Sequence, residues 1–296
     1  METKLSQPSE LSGKTAIITG ASRGLGRLIA HNLAREGVSL LLAARSIGDL
    51  EKVRAELLAS GVQAQAQVQA QVQVIAVDLS QPDQVQHLFD SAQAALGQID
   101  ILINNVGIID PDDYEQTDPA HILQSLAVNL AAPMLLTRQV LPAMLARNQG
   151  HIVNIASIAG FLPCAWGEVY ATTKHGLVGF TRSLRMKLQV IDAAVKISLI
   201  CPGFIEDVGM YADRVEHDTD RAPLLVGTSD AQQVAQAVVR SLKSAHQEII
   251  VSPWQTRLLC AIYNLAPDMH GWLMRKINVH HVFSNFTRKK RRGQQK

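Results

Sequence analysis

Two side chains spaced four residues apart could carry acid–base chemistry in this chain. Tyr170 and Lys174 occur in the segment Tyr-Ala-Thr-Thr-Lys, which reads as the start of a helix. Residues at i and i+4 lie on one helix face, so the lysine can reach back beside the tyrosine oxygen. A nearby positive charge favours the phenolate and is expected to lower the tyrosine pKa from about 10 toward working pH. The phenol would then act as a general acid and base, although an amphipathic helix can also contain such a pair by chance.

Composition and termini limit the class of protein. The chain has 296 residues, 47% of them hydrophobic, which is enough for a large core. Its first residues are polar, without the apolar region of a signal peptide, and no run of about 18 apolar residues follows. We therefore expect a cytoplasmic protein that does not span a membrane. Cys164, Cys201 and Cys260 lie far apart, so neither disulfides nor a zinc site is indicated.

A glycine-rich turn follows the first predicted strand. Residues 14–26 read KTAIITGASRGLG, and the pattern predicts a helix from Leu25 to Glu36 after the turn. This order is typical of a βαβ nucleotide-binding unit, in which N–H groups at the helix N-terminus face a pyrophosphate. A tight turn without a ligand could have a similar pattern, since the spacing is GxxxGxG. The residues predicted to contact a dinucleotide here are Gly20, Ser22, Arg23, Gly24, Leu25 and Gly26.

The end of the second predicted strand, Val38 to Ala44, indicates which dinucleotide binds. In such folds an acid at this position binds the free ribose 2′-hydroxyl, and an arginine accommodates a 2′-phosphate. The chain has no acid here and presents Arg45, with Arg23 as a second cation. We therefore predict a preference for NADP(H) over NAD(H); the alternative is that both arginines are ordinary surface charges.

A glutamine-rich insertion precedes the third strand. From Val62 to Val74 every second residue is glutamine, and this strict period of two predicts an extended strand that continues into the buried run Val74 to Val77. Connections between a helix and a strand usually need only two to six residues, so residues 62–73 are interpreted as a repeat expansion. Asp78 and Leu79, at the end of this strand, are expected to bracket an adenine ring.

Further polar residues follow the later strands. The fourth predicted strand ends in Asn104 and continues as Asn105-Val106-Gly107, and the fifth delivers Ser157. Ligands bind at the carboxyl ends of the strands in open parallel sheets. Asn129 falls in an apolar helical stretch, where a buried amide needs partners; it is either a structural clamp or part of a polar relay. Seven strands alternating with six helices predict a doubly wound parallel sheet.

Together these motifs resemble those of the short-chain dehydrogenase/reductase family, over about residues 13–253. The resemblance rests on TGASRGLG at 19–26, Asp78, NNVG at 104–107, Asn129, Ser157, Tyr170 with Lys174, and Pro202-Gly203. It implies a Rossmann-fold oxidoreductase that is often a homodimer or homotetramer. In place of a threonine that the family commonly has after Pro-Gly, this chain reads Phe204-Ile205-Glu206-Asp207.

The resemblance also implies a role for each residue. Tyr170 would exchange the proton of a carbonyl or alcohol oxygen, and Ser157 would stabilise that oxygen. Lys174 would lower the phenol pKa and hold the nicotinamide ribose, and Asn129 would anchor a water that links Lys174 to solvent. Cofactor contacts are also implied for Asn105, Val106, Gly107, Tyr170, Lys174, Pro202, Gly203 and Ile205.

The C-terminal region departs from this pattern. Residues 254–279 predict two amphipathic helices split at Pro267, within a helical extension over 254–287, and residues 288–296 are a basic tail that is expected to be disordered. Because the whole chain carries +2 and the last nine residues carry six positive charges, the rest carries −4. The extension could cover the substrate cleft, form a subunit interface or contact a membrane surface peripherally.

Two hypotheses follow for function. The first is an NADP(H)-dependent oxidoreductase acting on the carbonyl or secondary alcohol of a small, apolar molecule. The second is a non-catalytic nucleotide-binding or membrane-associated scaffold of the same fold. Aromatic residues make up only 4% of the chain, and no nucleic-acid recognition motif is present, so nucleic-acid binding is not expected. The polar tail of residues 1–12 is not part of the predicted Rossmann domain.

Overall fold

The computed structural model of the chain describes residues 9–60, 70–215, 222, 227–244, 247–276 and 281–294. Within these ranges, seven parallel strands form one sheet in the order β3-β2-β1-β4-β5-β6-β9, and the short strands β7 and β8 pair separately. The strands are β1 Thr15–Thr19, β2 Ser39–Ala44, β3 Val72–Ala76, β4 Ile101–Asn104, β5 His151–Ile155, β6 Lys196–Pro202, β7 Phe204–Ile205, β8 Thr228–Ser229 and β9 Glu248–Val251. The predicted doubly wound parallel sheet is confirmed.

Helices cover both faces of the sheet. They are α1 Gly24–Arg35, α2 Ile47–Ala59, α3 Pro82–Leu96, α4 Pro119–Leu126, α5 Ala132–Ala146, α6 Glu168–Val190, α7 Ala231–Lys243, α8 Trp254–Leu265, α9 Pro267–Lys276 and α10 His281–Gln294. Local sequence sets several of their ends. Ser46 caps α2 by accepting a hydrogen bond from the Asp49 N–H at 3.3 Å, and α3 begins at Pro82 and is closed by Gly97 in a positive-φ conformation.

Two apolar layers hold the helices against the sheet. The first includes Leu33 of α1 and Val238 of α7, and the second includes Leu88 of α3 and Leu136 of α5. The strands between these layers are buried on both sides, which explains why they read as continuous apolar runs in the sequence. Because the strand order reverses between β2-β1 and β1-β4, a crevice opens at the carboxyl ends of these strands.

A buried polar chain crosses the middle of the sheet. Asn104 at the end of β4 donates to Asn154 of β5 at 2.8 Å, and Asn154 donates to Thr181 of α6 at 2.8 Å. Asn104 and Asn154 are paired in the parallel register. The buried amides therefore link β4, β5 and the helix that carries Tyr170 and Lys174, and they fix these elements relative to one another.

The glutamine-rich stretch lies largely outside the described residues. Residues 61–69 are not described, so the predicted extended strand from Val62 is tested only at its end. Strand β3 begins at Val72 and pairs with β2. After β6, the short strands β7 and β8 pair in parallel with each other.

One helical stretch satisfies the length and hydropathy criteria of a membrane span. It covers Pro119–Ala146, and 39% of its most apolar window is buried inside the protein. Its residues Leu136, Val140 and Met144 pack in the core, and core helices of this length satisfy the same criteria. The expectation of a protein that does not span a membrane remains a prediction.

The C-terminal extension forms three helices in the described residues. Helices α8 and α9 match the two amphipathic helices predicted over 254–279, and the break between them falls before Pro267 as expected. The third, α10, begins inside the helical extension predicted over 254–287 and continues to Gln294, through most of the basic segment expected to be disordered. The expected disorder of that segment was wrong, because Val282 and Phe286 of α10 are buried against Phe204 and Tyr211 and hold the helix in place.

Candidate active site

The glycine-rich turn lies at the carboxyl end of β1 and leads directly into α1. Gly24 has a φ of +55°, a conformation that favours glycine. A Cβ at Gly26 would lie 2.1 Å from the Gly20 carbonyl oxygen and 2.7 Å from Asn105 Nδ2, so only glycine fits there. Asn105 closes this contact from the neighbouring strand by donating to the Thr19 carbonyl at 2.9 Å. The turn is thereby held tightly to β4 while the start of α1 faces the crevice.

One cleft of about 1300 Å³ runs along this edge of the sheet. All of the predicted site residues except Asn129 line it. They are Gly20, Ser22, Arg23, Gly24, Leu25, Gly26, Arg45, Asp78, Leu79, Asn105, Val106, Gly107, Ser157, Tyr170, Lys174, Pro202, Gly203 and Ile205. The structure therefore brings residues from widely separated segments into one site.

One end of the cleft carries the cations that were predicted to select the dinucleotide. Arg45 follows β2 and is exposed, and no hydrogen bond or ion pair involves its side chain among the described residues. Arg23 instead forms an ion pair with Asp213 at 2.5 Å, between the glycine-rich turn and the segment after β7. Asp78 is held by the backbone, since its carboxylate accepts a hydrogen bond from the Ser80 N–H at 3.0 Å.

The candidate catalytic residues meet near the carboxyl end of β5. The Ser157 side chain lies beside the Tyr170 hydroxyl and acts to lower its pKa. Lys174 is buried; its Nζ lies 5.6 Å from the centroid of the Tyr170 ring and donates to the Ile155 carbonyl at 3.0 Å. Ser157 Oγ also accepts a hydrogen bond from the Ala159 N–H at 3.1 Å, which fixes the side chain at the end of the strand. The tyrosine, the serine and the lysine thus share one small region.

The pKa of Tyr170 shifts in the direction opposite to the sequence prediction. Burial raises it to about 12, and the hydrogen bond from Ser157 lowers it only in part. Burial also lowers the pKa of Lys174 to about 8, because it disfavours the charged ammonium. The expected lowering of the phenol pKa is therefore wrong for this structure, since the cost of removing a phenolate from water exceeds the lowering effect of Ser157.

Asn129 lies behind the cleft rather than in its wall. It is fully buried in a π-helical turn, Ala127–Ala131, that joins α4 to α5. Its amide donates to the Ile108 carbonyl and accepts from the Ile108 N–H, both at 2.8 Å, and donates to Thr173 Oγ1 at 3.2 Å. Asn129 therefore clamps the loop after β4 to α6. A Cβ built on Gly107 would lie 3.5 Å from Asn129 Oδ1 and 3.6 Å from Lys174 Nζ, which places the amide close to the lysine as well.

The acidic pair after Gly203 lies outside the cleft. Phe204 and Ile205 line the cleft, but Glu206 and Asp207 are not among its lining residues. Asp207 accepts a hydrogen bond from the Ala231 N–H at 3.3 Å and so stabilises the start of α7. These two acids therefore do not line the cleft that contains the predicted cofactor residues.

Sequence reasoning did not identify several residues of the cleft. Trp166 lines it with a φ of +61°, and its indole N–H donates to Asp113 at 2.8 Å, joining the loop before α6 to the loop after β4. Arg214 donates to the Ile109 carbonyl at 2.8 Å and to the Met210 carbonyl at 2.9 Å. Neither residue belongs to a local pattern, because both act through contacts with segments distant in sequence.

The C-terminal helices form the apolar wall at the other end of the cleft. Leu259 of α8, Met274 of α9 and Phe283 and Phe286 of α10 all line it. The amphipathic pattern of the extension indicated that one face had to pack against protein, and the structure shows that this face covers the cleft. The structure thus shows the extension as a cover over the cleft. The subunit interface and the peripheral membrane contact stay predictions.

The residues at the glycine-rich turn and along the cleft fit a dinucleotide. A Cβ at Gly20 would lie 3.0 Å from Val106 Cα, and the close approach of turn and strand leaves the helix N-terminus of α1 facing the cleft. The cleft is lined by the cations Arg23 and Arg45 and also by Tyr170 and Ser157. A phosphate-bearing adenosine requires the former, and a reactive ring next to a proton donor requires the latter.

Comparison with known proteins agrees with this geometry. The family model for short chain dehydrogenase matches residues 14–219. The ketoacyl reductase HetN of Nostoc sp. is 38% identical over 87% of this chain and 86% of the relative. A metagenomic short-chain oxidoreductase solved in complex with NADP is 33% identical, with a TM-score of 0.67 over 82% of this chain and 98% of that one.

A second solved structure shows the other cofactor. A short-chain dehydrogenase/reductase from Burkholderia phymatum in complex with NAD is 30% identical, with a TM-score of 0.72 over 86% of this chain and 96% of that one. The matched region includes the glycine-rich turn, the serine and the tyrosine–lysine pair. The chain therefore belongs to the short-chain dehydrogenase/reductase family, whose members are oxidoreductases that use a nicotinamide cofactor and act on CH–OH groups.

Proposed function

We propose that the protein is an NADP(H)-dependent oxidoreductase that interconverts a carbonyl and a secondary alcohol on an apolar substrate, with Tyr170 as the general acid and base. The observation that carries the proposal is the convergence of Tyr170, Ser157 and Lys174 in one cleft that is also lined by an available arginine, Arg45. The bound cofactor supplies or accepts the hydride.

The protonation states favour reduction near neutral pH. With a pKa of about 12, Tyr170 keeps its proton and can donate it to a carbonyl oxygen that becomes an alkoxide. Ser157 is placed to hydrogen-bond the same oxygen as its negative charge develops. Lys174, with a pKa of about 8, still carries its charge at neutral pH and stabilises the phenolate that donation leaves behind. Asn129 would hold the water that returns a proton to this group.

The residues at the carboxyl end of β2 support the preference for NADP(H). Ala44 is followed by Arg45, and no acid is present there to bind a free ribose hydroxyl. Arg45 is exposed at the cleft, whereas Arg23 is paired with Asp213 and must leave that pair to bind a phosphate. We infer that Arg45 is the main 2′-phosphate ligand and Arg23 the secondary one.

Cofactor preference is tested by reversing the charge at this position. In Arg45→Asp, loss of a charge-assisted contact and addition of a repulsive carboxylate should weaken NADPH binding by about tenfold or more, with NADH binding unchanged or tighter. Cofactor fluorescence titrations measure both affinities. Arg35→Asp, which changes an exposed charge at the far end of α1, is the control. Unaltered preference in Arg45→Asp would remove the proposed cause.

The catalytic assignment is tested with Tyr170→Phe. Loss of the hydroxyl should lower kcat for carbonyl reduction by about 100-fold or more, while NADPH affinity stays within about twofold, because the phenol acts on the substrate oxygen. NADPH oxidation is followed by absorbance across a panel of ketones, aldehydes and ketoacyl thioesters. Full turnover in the variant contradicts the assignment. Cofactor binding by the wild-type protein without consumption across the panel would instead favour the nucleotide-binding scaffold.

The substrate class is inferred from the walls of the cleft. The region beside Ser157 is lined by Leu162, Leu259, Met274 and Phe283, which favour an apolar body next to the reacting carbonyl. The ketoacyl reductase among the relatives is consistent with an acyl chain in this position.

We further infer a cytoplasmic homodimer or homotetramer. Exposed apolar side chains of α4, α5 and α6 support self-association: Leu123 is 67% exposed, Met186 61% and Val190 77%. Light scattering of the purified chain measures this assembly directly. A monomer at working concentration would contradict it.

A further inference from the structure

Helices α8 and α9 present a second apolar face that does not line the cleft. The exposed fractions are 69% for Trp254, 51% for Leu258, 86% for Leu265, 54% for Met269 and 55% for Trp272. Trp254, Leu258 and Leu265 are spaced by four and seven residues, and Met269 and Trp272 by three, so each helix carries its apolar side chains on one side. These five residues are called the outer face of the extension.

The opposite sides of the same two helices are occupied by protein contacts. Leu259 and Cys260 of α8 are buried in the core, and Gly271 and Met274 of α9 line the cleft. The outer face therefore takes no part in the core packing or in the lining of the cleft, which involve the opposite sides of these helices. A cluster of exposed tryptophan and leucine side chains is unfavourable in water, which indicates that this face binds another molecule or a membrane surface.

The surroundings of the outer face are basic. Residues 254–276 contain Arg257, Arg275 and Lys276 against the single acid Asp268, and α10 leads into the run Arg-Lys-Lys-Arg-Arg at 288–292. Lys276 Nζ lies 6.0 Å from the centroid of the Trp272 ring, which places an ammonium beside the apolar stripe. The rest of the chain carries net negative charge, so the positive charge is concentrated in the C-terminal region that contains this face.

We propose that the outer face binds the surface of an anionic lipid bilayer. Amphipathic helices that lie in the interface combine tryptophan and leucine on the buried side with flanking lysine and arginine that contact anionic headgroups. A second copy of the chain fits less well, because symmetric pairing of this face would bring two basic segments together. An anionic bilayer satisfies both the apolar side chains and the surrounding charge.

A bilayer bound to the outer face would lie close to the cleft. Helix α9 forms the cleft wall with Gly271 and Met274 and the outer face with Met269 and Trp272. A bilayer against the outer face would lie within the thickness of one helix of the apolar end of the cleft. If the proposed function holds, apolar carbonyl compounds dissolved in the bilayer reach the site without crossing much water; the lipid binding itself does not depend on turnover.

Vesicle sedimentation with the full-length chain tests the proposal. The probes are vesicles of phosphatidylcholine alone and of phosphatidylcholine with phosphatidylserine. We expect binding to the anionic vesicles, weaker binding to the neutral ones, and release at high salt because headgroup contacts are screened. The double variant Leu265→Ser/Trp272→Ser should bind the anionic vesicles about tenfold more weakly or worse. Lys276→Glu should weaken binding to anionic vesicles only.

The control variant removes the same number of exposed apolar side chains elsewhere. Ile47→Ser/Leu58→Ser lies on α2, beside strands β2 and β3 at the opposite edge of the sheet, where the side chains are 48% and 45% exposed. It should sediment like the wild-type protein. NADPH binding, measured by fluorescence, confirms that every variant remains folded, and it is read independently of turnover.

Three results would overturn the proposal. One is wild-type protein that stays in the supernatant with anionic vesicles at low salt. Another is equal binding to neutral and anionic vesicles, which would remove the role of the basic residues. The third combines two observations: the wild-type protein is a dimer that does not bind vesicles, and Leu265→Ser/Trp272→Ser is a monomer in size-exclusion chromatography. The outer face would then be a subunit interface.

Discussion

At the scale of single residues, the site depends on how burial sets the protonation of two neighbouring groups. Burial raises the pKa of Tyr170 to about 12 and lowers that of Lys174 to about 8. Both shifts favour the neutral forms, but near pH 7 only the tyrosine is almost entirely neutral. The pair is therefore set up as a proton donor beside a cation, which is the state that carbonyl reduction requires.

This arrangement predicts a pH profile. As pH rises through about 8, Lys174 loses its charge and no longer stabilises the phenolate, so kcat/KM for reduction should fall above that value. Tyr170 contributes no second step in the accessible range, because its pKa lies near 12. In Lys174→Met the rate should be lower at every pH and the step near 8 should be absent. Steady-state rates over about pH 6–10 measure both profiles. A wild-type profile that is flat across pH 8 would contradict the assignment.

The types and order of the site residues could be predicted from the sequence, but their electrostatics could not. Tyr170, Lys174 and Ser157 are recognisable because their chemistry requires these side chains at fixed places after particular strands. The pKa of Tyr170 was predicted in the wrong direction because the spacing to Lys174 is a local property, whereas burial results from the whole fold. Trp166 and Arg214 were missed for the same reason, since their partners are distant in sequence.

At the scale of elements, β5 and β6 are joined by a buried histidine. His151 opens β5 and hydrogen-bonds Ser198 of β6 at 2.7 Å. Burial lowers the pKa of the imidazole from 6.5 to about 4, with nearby Lys196 acting in the same direction. The neutral ring is thus part of the strand pairing that places Ser157 at the end of β5.

The histidine predicts a loss of stability in acid. The unfolded chain takes up a proton near pH 6.5, whereas the folded chain resists it until about pH 4. The stabilising contribution is therefore complete above pH 6.5 and is lost as pH falls toward 4, by a total of about 3 kcal/mol. Urea unfolding at several pH values measures this slope. His151→Gln should flatten it, and His87→Gln, at an exposed position of α3, should not. Equal slopes in wild type and His151→Gln would contradict the prediction.

Element boundaries were predictable wherever a pattern and a stop signal coincide. Helix α1, Gly24–Arg35, and strand β2, Ser39–Ala44, lie within one residue of the predicted bounds, because Gly37 in a positive-φ conformation marks the end of the helix and the strand is a short apolar run. The π-helical turn at Asn129 had no signal, because it arises from packing of the amide against Ile108 and Thr173. The continuation of α10 past residue 287 was not predicted because that segment is strongly basic, and the helix is held by the burial of Val282 and Phe286 in its first half.

At the scale of the whole molecule, the cleft is assembled from two parts of different origin. The sheet edge supplies the cofactor end and the tyrosine, and the C-terminal helices supply the apolar wall. The sequence resemblance extends to about residue 253 and therefore described only the first part. The wall could not be predicted without the three-dimensional arrangement, since Phe283 and Phe286 of α10 pack against Phe204 and Tyr211, more than 70 positions earlier in the chain.

An aromatic cluster joins the two parts and gives the last prediction. The Tyr211 ring centroid lies 4.9 Å from that of Phe204 and 6.3 Å from that of Phe286, so α10 is packed onto the segment after β6. In Phe286→Ala this packing loses about 3 kcal/mol, which should release α10 locally. KM for an apolar ketone should rise about tenfold, because the cleft loses its wall, while NADPH affinity at the other end stays within about twofold.

Amide hydrogen exchange of α10 and steady-state kinetics measure the two effects in parallel. Trp272→Ala is the matched control, because that aromatic side chain belongs to the same extension but is 55% exposed. It should change neither the exchange of α10 nor KM in a lipid-free assay. If Phe286→Ala accelerates exchange and KM stays constant, the extension is attached as described but does not shape the substrate site. If exchange is unaltered as well, the aromatic cluster does not hold the helix, and the wall of the cleft must be stabilised by other contacts.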